Sequence, residues 1–203
     1  MKICLIRPSI VVPASNAITI FTPPLGLAYI AGSLRSAKFE VQMIDAVGES
    51  LDTRHPSNND CFIYGLSQEQ TIDRIDPDTE IIGIALGFSF EWPTCRDLMN
   101  AVRESFPKAL LIGGGEHITA VPNQSLEDSA IDIGVLGEGE ETAVEIAIAV
   151  SENRLNPGEI SGIVFRNEMG QIHINERRPR KRNLDDIALP AWDLIPIENY
   201  LER

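Results

Sequence analysis

Short apolar runs recur along the chain with room for a helix between most of them. KICLIR (2–7), FEVQMID (39–45), EIIGIAL (80–86), ALLIG (109–113) and IDIGVL (131–136) are rich in Ile, Val and Leu. Near-continuous apolar runs of this length suit parallel strands covered on both faces. The segments between them carry helical signals. LGLAYIAGSLRSA (25–37) follows Pro23 and Pro24, and its apolar residues recur every three or four positions. SQEQTIDRI (67–75) opens with Ser67 and has Gln70 three residues on, the spacing of a capping box. TCRDLMNAVRES (94–105) follows Pro93, and EETAVEIAIAV (140–150) begins with two carboxylates, favourable at a helix N-terminus. The alternation predicts an α/β fold: a doubly wound, Rossmann-like, five-stranded parallel sheet. Right-handed crossovers then gather the loops after the strands along one edge.

Three stretches break the alternation. Residues 46–66 are polar and turn-rich, an excursion between the second strand and its helix. ISGIVFRNEMGQIHIN (160–175) alternates on each side of Asn167–Gly170 and reads as a small β hairpin. The tail LDDIALPAWDLIPIENYLER carries Trp192 and Tyr200 but few periodic residues, so it is expected to pack poorly alone. The division that follows is 1–150 for the main domain, 151–182 for the hairpin extension and basic connector, and 183–203 for a linker. A linker at the end of the chain is expected to lead into a further domain.

Charge narrows the partners. The net charge of -13 argues against a general nucleic-acid binder, which favours a positive surface. ERRPRKR (176–182) is the one basic run, read as a solvated linker face rather than a phosphate site. No apolar stretch reaches 18 residues and the N-terminal apolar run is too short for a signal peptide. A cytoplasmic protein without a membrane partner is the expectation. Cys4, Cys61 and Cys95 are odd in number and far apart, unlike a disulfide framework or a thiolate metal site.

Four loops should meet at the carboxyl edge: 7–26, 87–93, 113–122 and 137–142. Three of them place glycines beside a strand end, where small residues admit a bulky ligand against the backbone. No glycine fingerprint follows the first strand, and no Walker A loop, GxSxG elbow or HExxH pair occurs. The candidate binding residues are therefore Arg7 and Ser9; Gly87, Phe88 and Ser89; Gly113, Gly114, Gly115, Glu116 and His117; and Gly137, Glu138 and Gly139. Each has a second reading. Arg7 is placed either to meet a ligand carboxamide or phosphate or to pair with a local carboxylate. Ser89 either bonds a polar ligand or caps a backbone group. One of Phe88 and Phe90 is expected to point into the core. His117 is either a pocket-edge contact or a loop histidine, with neither metal ligation nor catalysis supported. Glu138, Glu140 and Glu141 are expected to cap the last helix rather than transfer protons.

These loops, taken in order, resemble a known family. PPLGLAYIAGSLRSAKFEVQMIDA, GLSQEQTIDRI with IIGIALGFS, LLIGGGEH, VLGEGEET and LDDIALPAWDLIP together resemble the N-terminal cobalamin-binding domain of cobalamin-dependent radical S-adenosylmethionine enzymes. The resemblance runs over nearly the whole chain. It implies a cobalamin-binding type of Rossmann-like sheet, with the cofactor's nucleotide tail in a crevice near the first, third and fourth strand ends. Ser89 and Gly113–Gly115 would then border the tail, Gly87 and Phe88 would shape the adjacent wall, and His117 and the 137–142 loop would lie near the corrin rim. RPSIVV stands where methionine-synthase-type domains carry DxHxxG, so base-off binding without that histidine is implied. The CxxxCxxC run that holds the radical 4Fe-4S cluster is absent. The resemblance thus implies cobalamin in this chain, with S-adenosylmethionine and the iron–sulfur cluster in a missing C-terminal radical domain of the same polypeptide. The isolated chain would be inactive. The implied activity of the intact enzyme is methylation of a small-molecule substrate radical by methylcobalamin. The alternatives are a radical cyclase or rearrangement enzyme, or a degenerate assembly or regulatory domain that no longer binds cobalamin.

Overall fold

The computed structural model describes residues 1–15, 21–57 and 60–202. The five expected strands all form. They are β1 (Lys2–Arg7), β3 (Glu40–Asp45), β6 (Ile81–Ala85), β7 (Leu110–Gly114) and β8 (Ile133–Val135). They pair in parallel in the order β3-β1-β6-β7-β8. Chain order reverses between β1 and β6, where an open α/β sheet parts its loops and takes ligands.

The hairpin does not stand apart. Its strands, β9 (Ile163–Arg166) and β10 (Ile172–Ile174), add to the same sheet, β9 running antiparallel to β8. The central sheet therefore has seven strands. The buried Ile163, Val164 and Phe165 of β9 complete the apolar surface beside β8.

The 46–66 excursion is more ordered than its composition suggests. Within it, β4 (Arg54–Ser57) and β5 (Cys61–Tyr64) pair antiparallel, and β5 also pairs with β2 (Ile10–Pro13) from the first loop. This small sheet fixes the loop after β1. Ser9 donates to the Leu66 carbonyl at 2.6 Å, and the Ala46 amide donates to the Arg7 carbonyl at 3.0 Å.

Helices cover the two faces of the large sheet unequally. On one face lie α2 (Gln68–Ile72), α3 (Trp92–Ser105), α4 (Glu116–Ala120) and α5 (Pro122–Asp128). Ser67 and Gln70 form the expected capping box at the start of α2. Cys4, Ile6, Ile82, Ile84 and Leu111 pack on this side against Leu98, Met99 and Val102 of α3. On the other face lie α1 (Leu25–Ser36) and α6 (Glu140–Ser151). Their Leu27, Ala31, Leu34 and Ala147 join Ile3, Leu5 and Ile81.

The tail does not stand alone but packs on the rest of the chain. Residues 188–196 run along the outside of α1, and the chain ends in α7 (Ile197–Leu201). Ala191 and Ile195 are each 5% exposed, and the Ala191 amide donates to the Ala28 carbonyl at 2.9 Å. Arg35 binds Asp193 through 2.7 and 2.8 Å contacts. Two apolar anchors and backbone bonding do here what helical periodicity would otherwise signal. Trp192 keeps 39% of its surface exposed.

Candidate functional site

Successive strand residues point to opposite faces. Leu5 of β1, Gly83 and Ala85 of β6, Gly114 of β7 and Val135 of β8 are in register and share the α1–α6 face. Three of these five positions are glycine or alanine. Across from them stand Gly26, Leu27 and Ile30 of α1 and Ala143 and Ala147 of α6, with Gly139 just before it. Small residues on both layers leave a cavity of about 440 Å³ at the carboxyl edge, reaching inward between helices and sheet. Its volume falls in the range of small-molecule sites, about 300–1,000 Å³.

The three consecutive glycines have three different causes. A side chain at Gly113 would meet Ile131 at 3.0 Å and Ile118 at 3.4 Å, so this residue is small for core packing on the α3 side. Gly115 has φ +111°, and a Cβ there would lie 2.1 Å from the Leu86 carbonyl oxygen. Only glycine suits that backbone and that approach. At Gly114 a Cβ would meet nothing nearer than Val135 at 3.8 Å. Gly26, Gly87 and Gly137 also line the cavity, and a Cβ at each would enter open space. Among the described residues no neighbouring atom imposes glycine at 26, 87 or 114, whereas Gly137 has φ +76°, a backbone that itself favours glycine.

Ten of the thirteen sequence candidates line this cavity: Arg7, Ser9, Gly87, Phe88, Gly114, Gly115, Glu116, Gly137, Glu138 and Gly139. Ser89, Gly113 and His117 do not. His117 is 6% exposed and stacks on Trp92 with ring centroids 4.4 Å apart. Its Nδ1 lies 2.9 Å from the Ser89 hydroxyl, and its buried Nε2 has no protein partner. Burial holds the imidazole below its usual titration range. Ser89 thus partners only Nδ1 of His117, beside α3, among the described residues. Phe88 and Phe90 are 72% and 56% exposed, so neither enters the core. The 3₁₀ turn Ser89–Glu91 carries both outward, and Trp92 takes the buried place at 7% exposure.

The acidic loop also differs in detail from its expected role. Glu140 and Glu141 occupy the first turn of α6, but no side-chain bond caps it. Glu141 instead pairs with Lys181 at 3.1 Å, and Arg178 pairs with Glu145 and bonds Thr142. The basic run is therefore partly tied to α6.

Polar groups collect at the cavity rim. Arg7 donates to the Thr22 carbonyl at 2.7 Å and pairs with the fully buried Asp45 at 3.5 Å. The local-carboxylate reading of Arg7 thus holds, at a place that also borders the cavity. Glu91, absent from the sequence candidates, lines the same rim. Burial raises its carboxyl above the usual glutamate range, with the nearby Arg7 charge opposing. Gly83–x–Ala85 on a strand and Ala143 with Ala147 one helical turn apart were the overlooked sequence signals for the walls.

Known proteins resemble this chain over most of its length. The family model described as the B12 binding domain matches residues 16–147. An uncharacterized methyltransferase of Pyrococcus horikoshii is 30% identical over 203 residues, spanning 98% of this chain and 40% of that protein. An anaerobic magnesium-protoporphyrin IX monomethyl ester cyclase of Synechocystis sp. is 29% identical over 183 residues, spanning 88% of this chain and 33% of that protein. The chain thus matches well under half the length of either relative. Among solved structures, the cobalamin-dependent S-adenosylmethionine radical enzyme OxsB, with aqua-cobalamin and S-adenosylmethionine bound, superposes with a TM-score of 0.74. It is 16% identical, and the match covers 99% of this chain and 25% of OxsB, a likeness of fold.

Proposed function

The chain belongs to the B12 binding domain family, and from that membership we propose that it is the cobalamin module of a radical S-adenosylmethionine methyltransferase. The observation that carries this reading is the row of glycines opening on the cavity at the point of strand reversal. Gly26, Gly87 and Gly114 leave room that no side chain among the described residues fills. In this reading the cavity takes the nucleotide tail, and the corrin ring would rest outside, at the rim.

Bound cobalamin would supply a cobalt centre able to carry a methyl group. This chain's part is to bind and orient. Ile3, Leu5, Leu27, Ile30 and Val135 enclose the tail in apolar walls and exclude water from it. Arg7 offers a donor to carboxamide or phosphate oxygens at the rim, while Glu91 and Ser9, whose hydroxyl proton goes to the Leu66 carbonyl, offer oxygens beside it. His117 is stacked inside against Trp92 and is not assigned to cobalt. No histidine is among the described residues lining the cavity.

In this reading residues 1–150 form the cofactor-binding part, and 183–203 lead toward a radical domain that holds the iron–sulfur cluster, S-adenosylmethionine and most of the substrate site. No helix among the described residues is long and apolar enough to cross a membrane. Methyl transfer is preferred because the methyltransferase relative aligns with 98% of the chain against 88% for the cyclase. Ring formation is the second reading, favoured by the cyclase relative itself. The deciding test of the module is titration of the purified chain with hydroxocobalamin, followed by visible absorption. Saturable spectral change is expected. A folded chain that gives none overturns the reading.

A further inference from the structure

The end of the chain reaches the cavity through one side chain. Residues 188–196 cross the outer side of α1, whose inner side forms the cavity wall. The crossing is close: a Cβ at Gly32 would lie 2.1 Å from the Leu189 carbonyl oxygen. Beyond it α7 lands on the loop after β3. There Asn199 donates to the Gly48 carbonyl at 2.8 Å, and Gly48 is small because the Tyr200 ring lies over it. The Tyr200 hydroxyl donates to Asp45 at 2.5 Å and accepts from Arg7 at 2.7 Å. Asp45 is fully buried and also accepts from the Gly48 amide at 3.0 Å. Arg7 is therefore held at Nη1 by Tyr200, Asp45 and the Thr22 carbonyl, while it borders the cavity.

We propose that Tyr200 is a positioning residue for the cofactor: from the last turn of the chain it holds Arg7 in place to meet an oxygen acceptor of the bound corrinoid, a carboxamide or phosphate. This rests on the cobalamin reading above. Its physical basis is preorganisation. A guanidinium already fixed by protein partners, the buried Asp45 among them, loses little side-chain freedom when a ligand arrives. Burial, and then the Asp45 carboxylate, raise the Tyr200 phenol above its usual range, so it stays a donor to Asp45 at all ordinary pH. The linkage is reciprocal, so an occupied rim would in turn favour the docked tail. The segment that leads toward a following domain would then sense whether cofactor is present.

A double-mutant cycle on hydroxocobalamin affinity tests this. Tyr200→Phe keeps the ring over Gly48 and removes only the hydroxyl. It should weaken binding about tenfold, the scale of one charge-assisted hydrogen bond. In an Arg7→Met background the same change should alter affinity by less than about twofold. Asn199→Ala removes the α7 anchor beside Tyr200 and should weaken binding by no more than Tyr200→Phe does. Equal losses from Tyr200→Phe with and without Arg7 overturn the positioning role. So does unchanged affinity in Tyr200→Phe. Absence of binding by the parent chain overturns the cobalamin reading itself, and the inference falls with it.

Discussion

Gly113 and Gly114 are neighbours in β7, and they face opposite layers of the protein. On the α3 side, glycine makes room for protein: Ile131 and Ile118 close to 3.0 and 3.4 Å of its missing side chain. On the α1–α6 side, nothing but Val135 comes within 4 Å. The same contrast extends along the sheet. Ile82, Ile84 and Leu111 fill one face, while Gly83, Ala85 and Gly114 thin the other. One face is packed throughout; the other is packed in part and, in the proposed reading, keeps its carboxyl edge for a ligand. A glycine count does not separate these uses; the direction each glycine faces does.

Valine at each of the two positions tests that contrast most strongly. Gly114→Val should cut hydroxocobalamin affinity about a hundredfold while the melting temperature holds or rises, since valine suits a strand and meets little protein. Gly113→Val should do the reverse, costing about 1–3 kcal/mol of stability by overpacking and sparing affinity in the molecules that stay folded. Chemical denaturation beside spectral titration reads both quantities. If the two variants behave alike, the division between the faces is wrong.

Gly115 sharpens the contrast from a third side. Gly115→Ala should destabilise the chain by about 2 kcal/mol, through left-handed strain and the clash with the Leu86 carbonyl. Urea unfolding would show it as a lower midpoint at unchanged slope.

Glu91 gives a smaller effect with a defined sign. Its folded carboxyl holds a proton to higher pH than the unfolded chain does. The stability tied to that proton is complete below the unfolded glutamate range, near ~4.3, and is lost as pH rises through the folded value. Glu91→Gln should therefore slightly raise the melting temperature at neutral pH, and the gain should shrink to nothing as pH falls below that range. A gain that grows on acidification contradicts the assignment. Smallest of all, the solid face should resist chemistry. Burial pushes the Cys4 thiol up to about 12, so iodoacetamide at pH 8 should label it at least ~10-fold more slowly in the folded chain than in denaturant. Mass spectrometry of the Cys4 peptide would reveal this.

Much of the fold was legible because its strands are buried on both faces and announce themselves as apolar runs. The capping box at Ser67 and the hairpin around Asn167–Gly170 were legible from local chemistry. The small sheet was not. Arg54–Ser57 has little strand character, and it pairs only because Cys61–Tyr64 lies between it and β2. Likewise the docking of the tail depends on Gly32 and Ala28 of a distant helix, a tertiary fit that no local period encodes. At the site, glycines beside strand ends pointed to the rim. The inner walls were harder to read, because Gly83, Ala85, Ala143 and Ala147 look like ordinary small core residues until their shared face is known. His117 drew notice as a polar residue in a glycine loop, yet its ring serves the Trp92 stack.

The claim that the hollow face receives the nucleotide tail is tested most directly by comparing hydroxocobalamin with cobinamide, which lacks that tail, in parallel titrations of the parent and Gly114→Val chains. The parent should bind hydroxocobalamin much more tightly than cobinamide, and Gly114→Val should abolish the difference by weakening only hydroxocobalamin. Equal affinities of the parent for the two ligands, or a Gly114→Val chain that still prefers hydroxocobalamin by the parent's margin, would contradict it.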